Sequence, residues 1–189
     1  MRAHSVKKHL KIFKYLNTEQ AEPGNNLIFS LQQDYREDVI DFLAEEIAEC
    51  IRSNLNLFDK DAYVITNVPR RKGAIIKFGY DHTECLAKSV SKKLEMKFCK
   101  LLKSKAKHAQ KETRGSDRMA NAEFDYISDN PMNLKGKSVI IIDDIITTGA
   151  SMGGCAMLIK GLEARECIAV SVASAYNDEY QKRINNEKR

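Results

Sequence analysis

Proline is scarce, with three in 189 residues, and no repeat or low-complexity tract breaks the chain. Nothing therefore marks a linker between domains, and the length suits one globular domain able to bury its own core. The five cysteines, Cys50, Cys85, Cys99, Cys155 and Cys167, are too far apart to form a C-x-x-C pair. That excludes a zinc knuckle or a dithiol redox motif and leaves reduced core residues. No apolar run approaches the roughly 20 residues of a membrane span, and the basic opening MRAHSVKKHLKIFKYLN holds no apolar core of signal-peptide length. The expectation is a cytoplasmic protein with no membrane partner. Two nucleotide-binding signatures are also missing. No glycine-spaced loop ends in Gly-Lys-Ser/Thr, and no G-x-G-x-x-G follows a strand; Gly153 and Gly154 come too late, inside a helix. Closely spaced aromatics of the kind that stack bases are lacking, so nucleic acid is not expected as a direct ligand. The net charge of +5 suits anionic partners without choosing among them.

What is present reads as strands alternating with helices. Val39, Ile40, Leu43, Ile47, Cys50 and Ile51 recur at helical spacing and predict a long amphipathic helix over 34–57. Residues 63–69 read as a short buried strand stopped by Pro69. Leu86, Val90 and Leu94 predict a helix over 83–96 with Thr83 as N-cap, followed by a strand near 98–102. Residues 103–124 show neither period and read as a long basic loop. A strand at 139–142, a helix at 149–161 and a strand at 167–173 complete the series. The fold class expected is α/β, a mostly parallel central sheet flanked by helices.

The densest signal is SVIIIDDIITTGAS, residues 138–151. An apolar run ending in two carboxylates is how a central parallel strand looks when its carboxyl end opens on a crevice, the place where α/β sheets bind ligands. Gly149 permits a tight turn, and Thr147, Thr148 and Ser151 put hydroxyls where a helix begins. Backbone N–H groups, the helix dipole and hydroxyl donors together make a phosphate cradle. Asp143 and Asp144 beside it can accept from vicinal sugar hydroxyls and help hold Mg²⁺, directly or through water or ligand oxygens. Singly, these residues would be ordinary turn and cap residues. Together the five fixed positions of D-D-x-x-T-T-G, Asp143, Asp144, Thr147, Thr148 and Gly149, have a chance frequency on the order of 10⁻⁴ per chain of this size, and a ribose 5-phosphate fits both halves.

These residues resemble the phosphoribosyl-diphosphate (PRPP) motif of the type I phosphoribosyltransferases. Within that family the chain is most similar to the ComF (competence-protein-like) type. The resemblance rests on NVPRRK at 67–72, FGYDHTECLA at 78–87 and AQKETRGSDRMANAEF at 109–124, although Asp81 and His82 stand where Asn and Gln are usual. No cysteine precedes Cys50, so the cysteine-rich zinc module of many ComF-type proteins is missing from these residues. The family fold is Rossmann-like with a small N-terminal hood. It implies Mg²⁺-dependent transfer of a phosphoribosyl group from PRPP to a purine, pyrimidine or related base, with release of diphosphate. It also implies roles: Asp143 and Asp144 on the ribose hydroxyls, and Ile145, Ile146, Thr147, Thr148, Gly149, Ala150 and Ser151 around the 5-phosphate. Pro69, Arg70, Arg71 and Lys72 would meet the diphosphate. The basic stretch 103–118 would form a flexible loop that closes over the reaction centre, with Lys105 and Lys107 as catalytic cations and Lys103, Lys111 and Arg114 as further candidates. Thr147 stands where some purine-using relatives carry an acid, which argues against hypoxanthine-guanine specificity. Dimers are common in the family, so a homodimer is compatible with it.

The chain is thus expected to be one domain over 1–189, with a hood at about 1–33, a core at 34–175 and a surface helix at 176–189. Cys155 is either a reactive thiol near a helix start or a packing cysteine, and burial is the commoner fate. His82 and His108 could serve as general bases, but solvated loop histidines are commoner. Tyr80 either lines the site or packs, and packing is expected. The competing, non-catalytic reading is a PRPP or nucleotide sensor or a DNA-uptake protein. It is motivated by Lys92, Lys93, Lys97, Lys100, Lys103, Lys105, Lys107, Lys111, Arg114 and Arg118 against three acids in 92–118.

Overall fold

The computed structural model describes residues 5–14, 23–105 and 123–174. Five strands form one wholly parallel sheet in the order β1-β7-β6-β2-β3. They are β1 (Lys8–Lys14), β2 (Tyr63–Asn67), β3 (Lys97–Phe98), β6 (Ser138–Ile146) and β7 (Glu166–Ser174). A separate antiparallel pair joins β4 (Leu102–Ser104) to β5 (Phe124–Tyr126). The helices are α1 (Pro23–Gln33), α2 (Glu37–Asn54), α3 (Lys72–Phe78), α4 (His82–Leu94) and α5 (Ala150–Gly161).

Strand alternation sorts the sheet into two cores. Ile65, Ile140, Ile142, Ile168 and Val170 pack under α1, α2 and α4, while Val64, Val139, Ile141, Cys167 and Ala169 pack under α5 and the β4–β5 pair. The central strand β6 is buried from Ser138 through Asp143, as a parallel strand covered on both faces must be. α2 buries Val39, Ile40, Leu43, Ala44, Ile47, Ala48 and Ile51 on one stripe, with Glu37 and Asp38 at its positive end and Arg52 at its negative end.

The strand order reverses beside β6. From β2 the chain crosses through α3 and α4 to β3 on one side, whereas from β6 it crosses through α5 to β7 on the other. Their helices lie on opposite faces, so the carboxyl ends of β2 and β6 diverge into a crevice at the switch point.

Several expected boundaries shift. The helix expected over 34–57 is α2 alone, and 98–102 divides between β3 and β4. α4 is capped by Asp81, whose carboxylate accepts from the Glu84 N–H, so Thr83 is its second residue and not its cap. β6 runs four residues past the expected end and contains both aspartates, and α3 is a further short helix closed by Gly79 at φ 81°. Part of the expected hood is core: residues 8–14 are the edge strand β1, with Leu10 buried. The 176–189 helix lies outside the described residues.

Replacing Ile140, fully buried at the centre of the sheet, by Ala is expected to cost about 2–5 kcal/mol in urea unfolding. The same truncation at Phe58, 98% exposed, should stay within about 0.5 kcal/mol. Equal costs at the two positions would contradict the packing described.

Candidate functional site

The end of β6 delivers its acids to different neighbours. Asp143 borders an open cup of about 240 Å³ with Ile145, Ile146, Thr147, Thr148, Gly149, Ala150, Ser151 and Met152. Gly149 is the N-cap of α5 at φ 67°, a left-handed conformation that a side chain would strain. It offers no capping oxygen, and the first turn of α5 carries no acid. The positive end of the helix is therefore unopposed by side-chain charge where the turn's hydroxyls gather. The Thr148 Oγ1 accepts from the Ala150 N–H at 3.3 Å.

Asp144 faces α1 and α4. Its Oδ2 accepts from Gln32 Nε2 at 2.5 Å and His82 Nε2 at 2.7 Å, and its Oδ1 from the Ile145 N–H at 2.6 Å. Beyond the acids the alternation slips by one residue, since Ile145 packs with the α2 core and Ile146 with the α5 core. The two carboxyls nonetheless meet in a hydrogen bond. Burial, then the charge of Asp144 and a hydrogen bond with it, push the Asp143 carboxyl well above the ordinary carboxylate range. Burial also works against ionisation of Asp144, but the hydrogen bond and attraction of His82, with Gln32 and the Ile145 N–H, outweigh it and bring the pKa down to about 2. The two shifts run in opposite directions, so a proton bound to the pair resides on Asp143 and the charge on Asp144.

The turn after β2 comes to the same crevice. Pro69 is buried, and Val68 donates its N–H to the Ile142 carbonyl. Arg70, expected on a diphosphate, is spent on the fold. Its N–H goes to Asp81 Oδ2 at 3.1 Å, and its guanidinium to the carbonyls of Tyr80 and Gln32, stacked 4.6 Å over the Phe78 ring. Arg71 and Lys72 are exposed, and Arg71 reaches Glu123 at 3.4 Å across the foot of the β4–β5 pair. Lys103 and Lys105 are exposed on and just after β4, and the Lys105 N–H closes the strand pair on the Glu123 carbonyl. Lys107, His108, Lys111, Arg114 and Arg118 lie outside the described residues.

Three smaller expectations resolve. Cys155 is fully buried, and burial followed by the charge of Asp143 pushes its thiol well up, so it packs and is not a reactive thiol. Tyr80 packs edge-on to Tyr35 and donates its hydroxyl to the Leu31 carbonyl at 2.7 Å. His82 is 5% exposed, which corrects the expectation of a solvated histidine. The residues that sequence reasoning missed are Gln32, in a stretch with no motif, and Asp81 and His82 as partners of the site; their signal was the departure from Asn-Gln.

The donor set does not make a dedicated cation cage. Among the described residues no group of three or more His, Cys, Asp or Glu converges on one point, and three acceptor positions of Asp144 are already filled. The acids fit Mg²⁺ only as an ion arriving on ligand oxygens with its own waters.

A family model described as the phosphoribosyl transferase domain matches residues 84–189, more than half of the chain. The chain belongs to that family. Ribose-phosphate pyrophosphokinase of Sulfurisphaera tokodaii is 34% identical over an alignment of 116 positions, which covers 53% of this chain. The chain spans 39% of that relative's length. Among solved structures, an allosteric regulatory enzyme of purine biosynthesis superposes with a TM-score of 0.50 at 13% identity, over 76% of this chain and 30% of that one. The purine phosphoribosyltransferase of Pyrococcus horikoshii gives 0.44 at 22% identity, over 71% and 73%. The likeness to the regulatory enzyme is one of fold, an α/β sheet of mostly parallel strands between helices.

The acid pair makes a pH prediction. Asp143 keeps its proton in the folded state above 3.8, where the unfolded chain gives it up, so this group lowers stability as pH rises from about 4. Asp144 has the opposite sign, with its contribution present above 3.8 and lost as pH falls toward 2. The isosteric change Asp143→Asn keeps the hydrogen bonds of the protonated acid. It should leave stability near pH 4 unchanged and raise it at pH 7 by on the order of 1 kcal/mol. Chemical denaturation across that range measures the difference, and a pH-independent one would show that Asp143 titrates normally.

Proposed function

We propose that the chain binds PRPP at the carboxyl end of β6 and transfers its phosphoribosyl group to a nitrogenous base, releasing diphosphate. The observation that carries this reading is the juxtaposition, at the switch point, of an anion cup at a helix N-terminus with a carboxyl–carboxylate pair. The cup suits the 5-phosphate. The acids suit the ribose hydroxyls, because an ionised carboxylate accepts and a protonated one donates.

Leaving of the diphosphate builds positive charge on the sugar and negative charge on the departing oxygens. Arg71 and Lys72 are the exposed cations at the β2 end of the crevice. Arg71 is free to exchange partners because an exposed ion pair at 3.4 Å holds it only weakly. Lys103 and Lys105 stand at the foot of the segment that would close over the reaction centre and exclude water. Mg²⁺ would supply charge neutralisation on the diphosphate. The ComF type remains the subfamily that NVPRRK and its companion segments favour, in a cytoplasmic protein, and a homodimer is compatible with that type.

A second reading keeps the ligand and drops the chemistry: a PRPP or nucleotide sensor. It is favoured by the internal engagement of Asp144, which leaves the site well satisfied without a substrate. Direct DNA binding is weakened as a reading because Lys93 pairs with Asp41 and Glu45, and Lys100 with Glu84.

The deciding experiment incubates the protein with PRPP, Mg²⁺ and a panel of purines, pyrimidines and related bases while following diphosphate release. A parallel arm offers ATP and ribose 5-phosphate. Turnover with a base supports transfer; PRPP binding without release from any base supports the sensor; turnover only in the ATP arm replaces both. Ala150→Asp sharpens the assignment of the cup. An acid in the first turn of α5 is expected to leave stability unchanged or raise it by about 0.5 kcal/mol. The same charge should weaken PRPP binding at least about tenfold by repelling the phosphate. Unaltered PRPP affinity would place the phosphate elsewhere.

A further inference from the structure

We infer that Gln32 and His82 are positioning residues that set the grip of Asp144 on a sugar hydroxyl; the inference rests on the PRPP reading above. An unsupported aspartate rotates about two side-chain torsions and presents either oxygen. Here three N–H donors from three separate elements fix the carboxylate: Gln32 at the end of α1, His82 at the start of α4, and the main chain of β6. Oδ2 carries two of them and Oδ1 one, besides the hydrogen bond shared with Asp143, so the acceptor position a ligand hydroxyl can take is on Oδ1, and the Asp144 side chain is 13% exposed to receive one.

Both donors are themselves held. The last turn of α1 is pinned by the Arg70 guanidinium on the Gln32 carbonyl at 2.9 Å and by the Tyr80 hydroxyl on the Leu31 carbonyl. A cation and a hydroxyl there satisfy carbonyls that a helix end leaves open. His82 follows Asp81, whose carboxylate takes the Arg70 N–H, the Glu84 N–H and the Thr83 hydroxyl. The Arg70 turn, α1 and the α4 start therefore form one rigid frame around Asp144.

The imidazole itself points the same way. Its Nε2 carries the proton in the bond to Asp144, since an ionised carboxylate only accepts. Its Nδ1 is buried with no hydrogen-bond partner among the described residues. A histidine kept for packing alone normally satisfies both nitrogens or is replaced by an apolar residue. This one is buried at a cost, and the one hydrogen bond of its ring among the described residues goes to the acid.

The test titrates ribose 5-phosphate and inorganic phosphate into the full chain and its variants, by calorimetry and by NMR for the weaker ligand. Inorganic phosphate reaches the cup but brings no sugar hydroxyl. His82→Leu and Gln32→Leu are each expected to weaken ribose 5-phosphate about tenfold and inorganic phosphate by less than about twofold. His82→Gln, which restores an N–H donor, should recover ribose 5-phosphate affinity to within about threefold of the parent. Equal weakening of both ligands, or no weakening of either, overturns the inference while leaving the PRPP reading intact. Failure of the parent protein to bind either ribose 5-phosphate or PRPP removes that reading and this inference with it. If His82→Leu does not fold, Gln32→Leu decides by the same comparison.

Discussion

Everything at the site follows from the constraint that a strand covered on both faces can carry an ionisable side chain only where a neighbour ends and leaves it an opening. β6 lies between β2 and β7 and is buried under helices on each side. Its last pairing with β2 is Ile142 against Asn67, and the very next residue is Asp143. The acids thus appear at the first position where the sheet opens on the β2 side, while β6 stays paired with β7, and the crevice exists there because β2 and β6 send their helices to opposite faces. Local sequence and global topology agree at this point, and the cup, the acid pair and the β2 turn share one address for that reason.

Placing two carboxyls there is costly. Neither can be well hydrated, and they lie within hydrogen-bonding reach of each other. The fold resolves the conflict by division: one acid stays protonated while the other is supplied with N–H donors. That makes Asp144 one of the most heavily invested side chains in the molecule, with partners 32, 82 and 145 drawn from three elements. A binding site built this way has most of its hydrogen bonds made before any ligand arrives, so a ligand hydroxyl meets a carboxylate already held in one orientation.

The sequence disclosed the strand-acid-turn-helix unit almost completely, because its apolar run, its paired acids and its glycine turn are all local and contiguous. It disclosed the amphipathic face of α2 for the same reason, through Val39, Leu43 and Ile47. It failed where the determinants are distant. Gln32 meets Asp144 across 112 residues of chain, and nothing in the residues around Gln32 announces that contact. Arg70 looked like an anion ligand because it sits beside Arg71 in a basic turn. Only the position of Tyr80, Asp81 and the end of α1 shows that its donors are consumed. β1 falls in the stretch expected as a hood for a related reason, since KHLKIFK carries lysine at positions 8, 11 and 14, a spacing of three that breaks the alternation by which a strand is recognised.

Arg70 and Arg71 show how the fold assigns different work to identical neighbours. Arg70 turns inward, stacks on Phe78 and caps α1, where the planar guanidinium satisfies two carbonyls at once. Arg71 stays outside, and its one ion pair is long and exposed. The first therefore supplies the rigidity that holds Gln32 against the acid, and the second supplies a cation that can change partners at little cost. A binding site for a charged ligand needs both, and adjacent residues at a strand-to-helix turn provide them because the backbone there points successive side chains to opposite sides of the crevice wall.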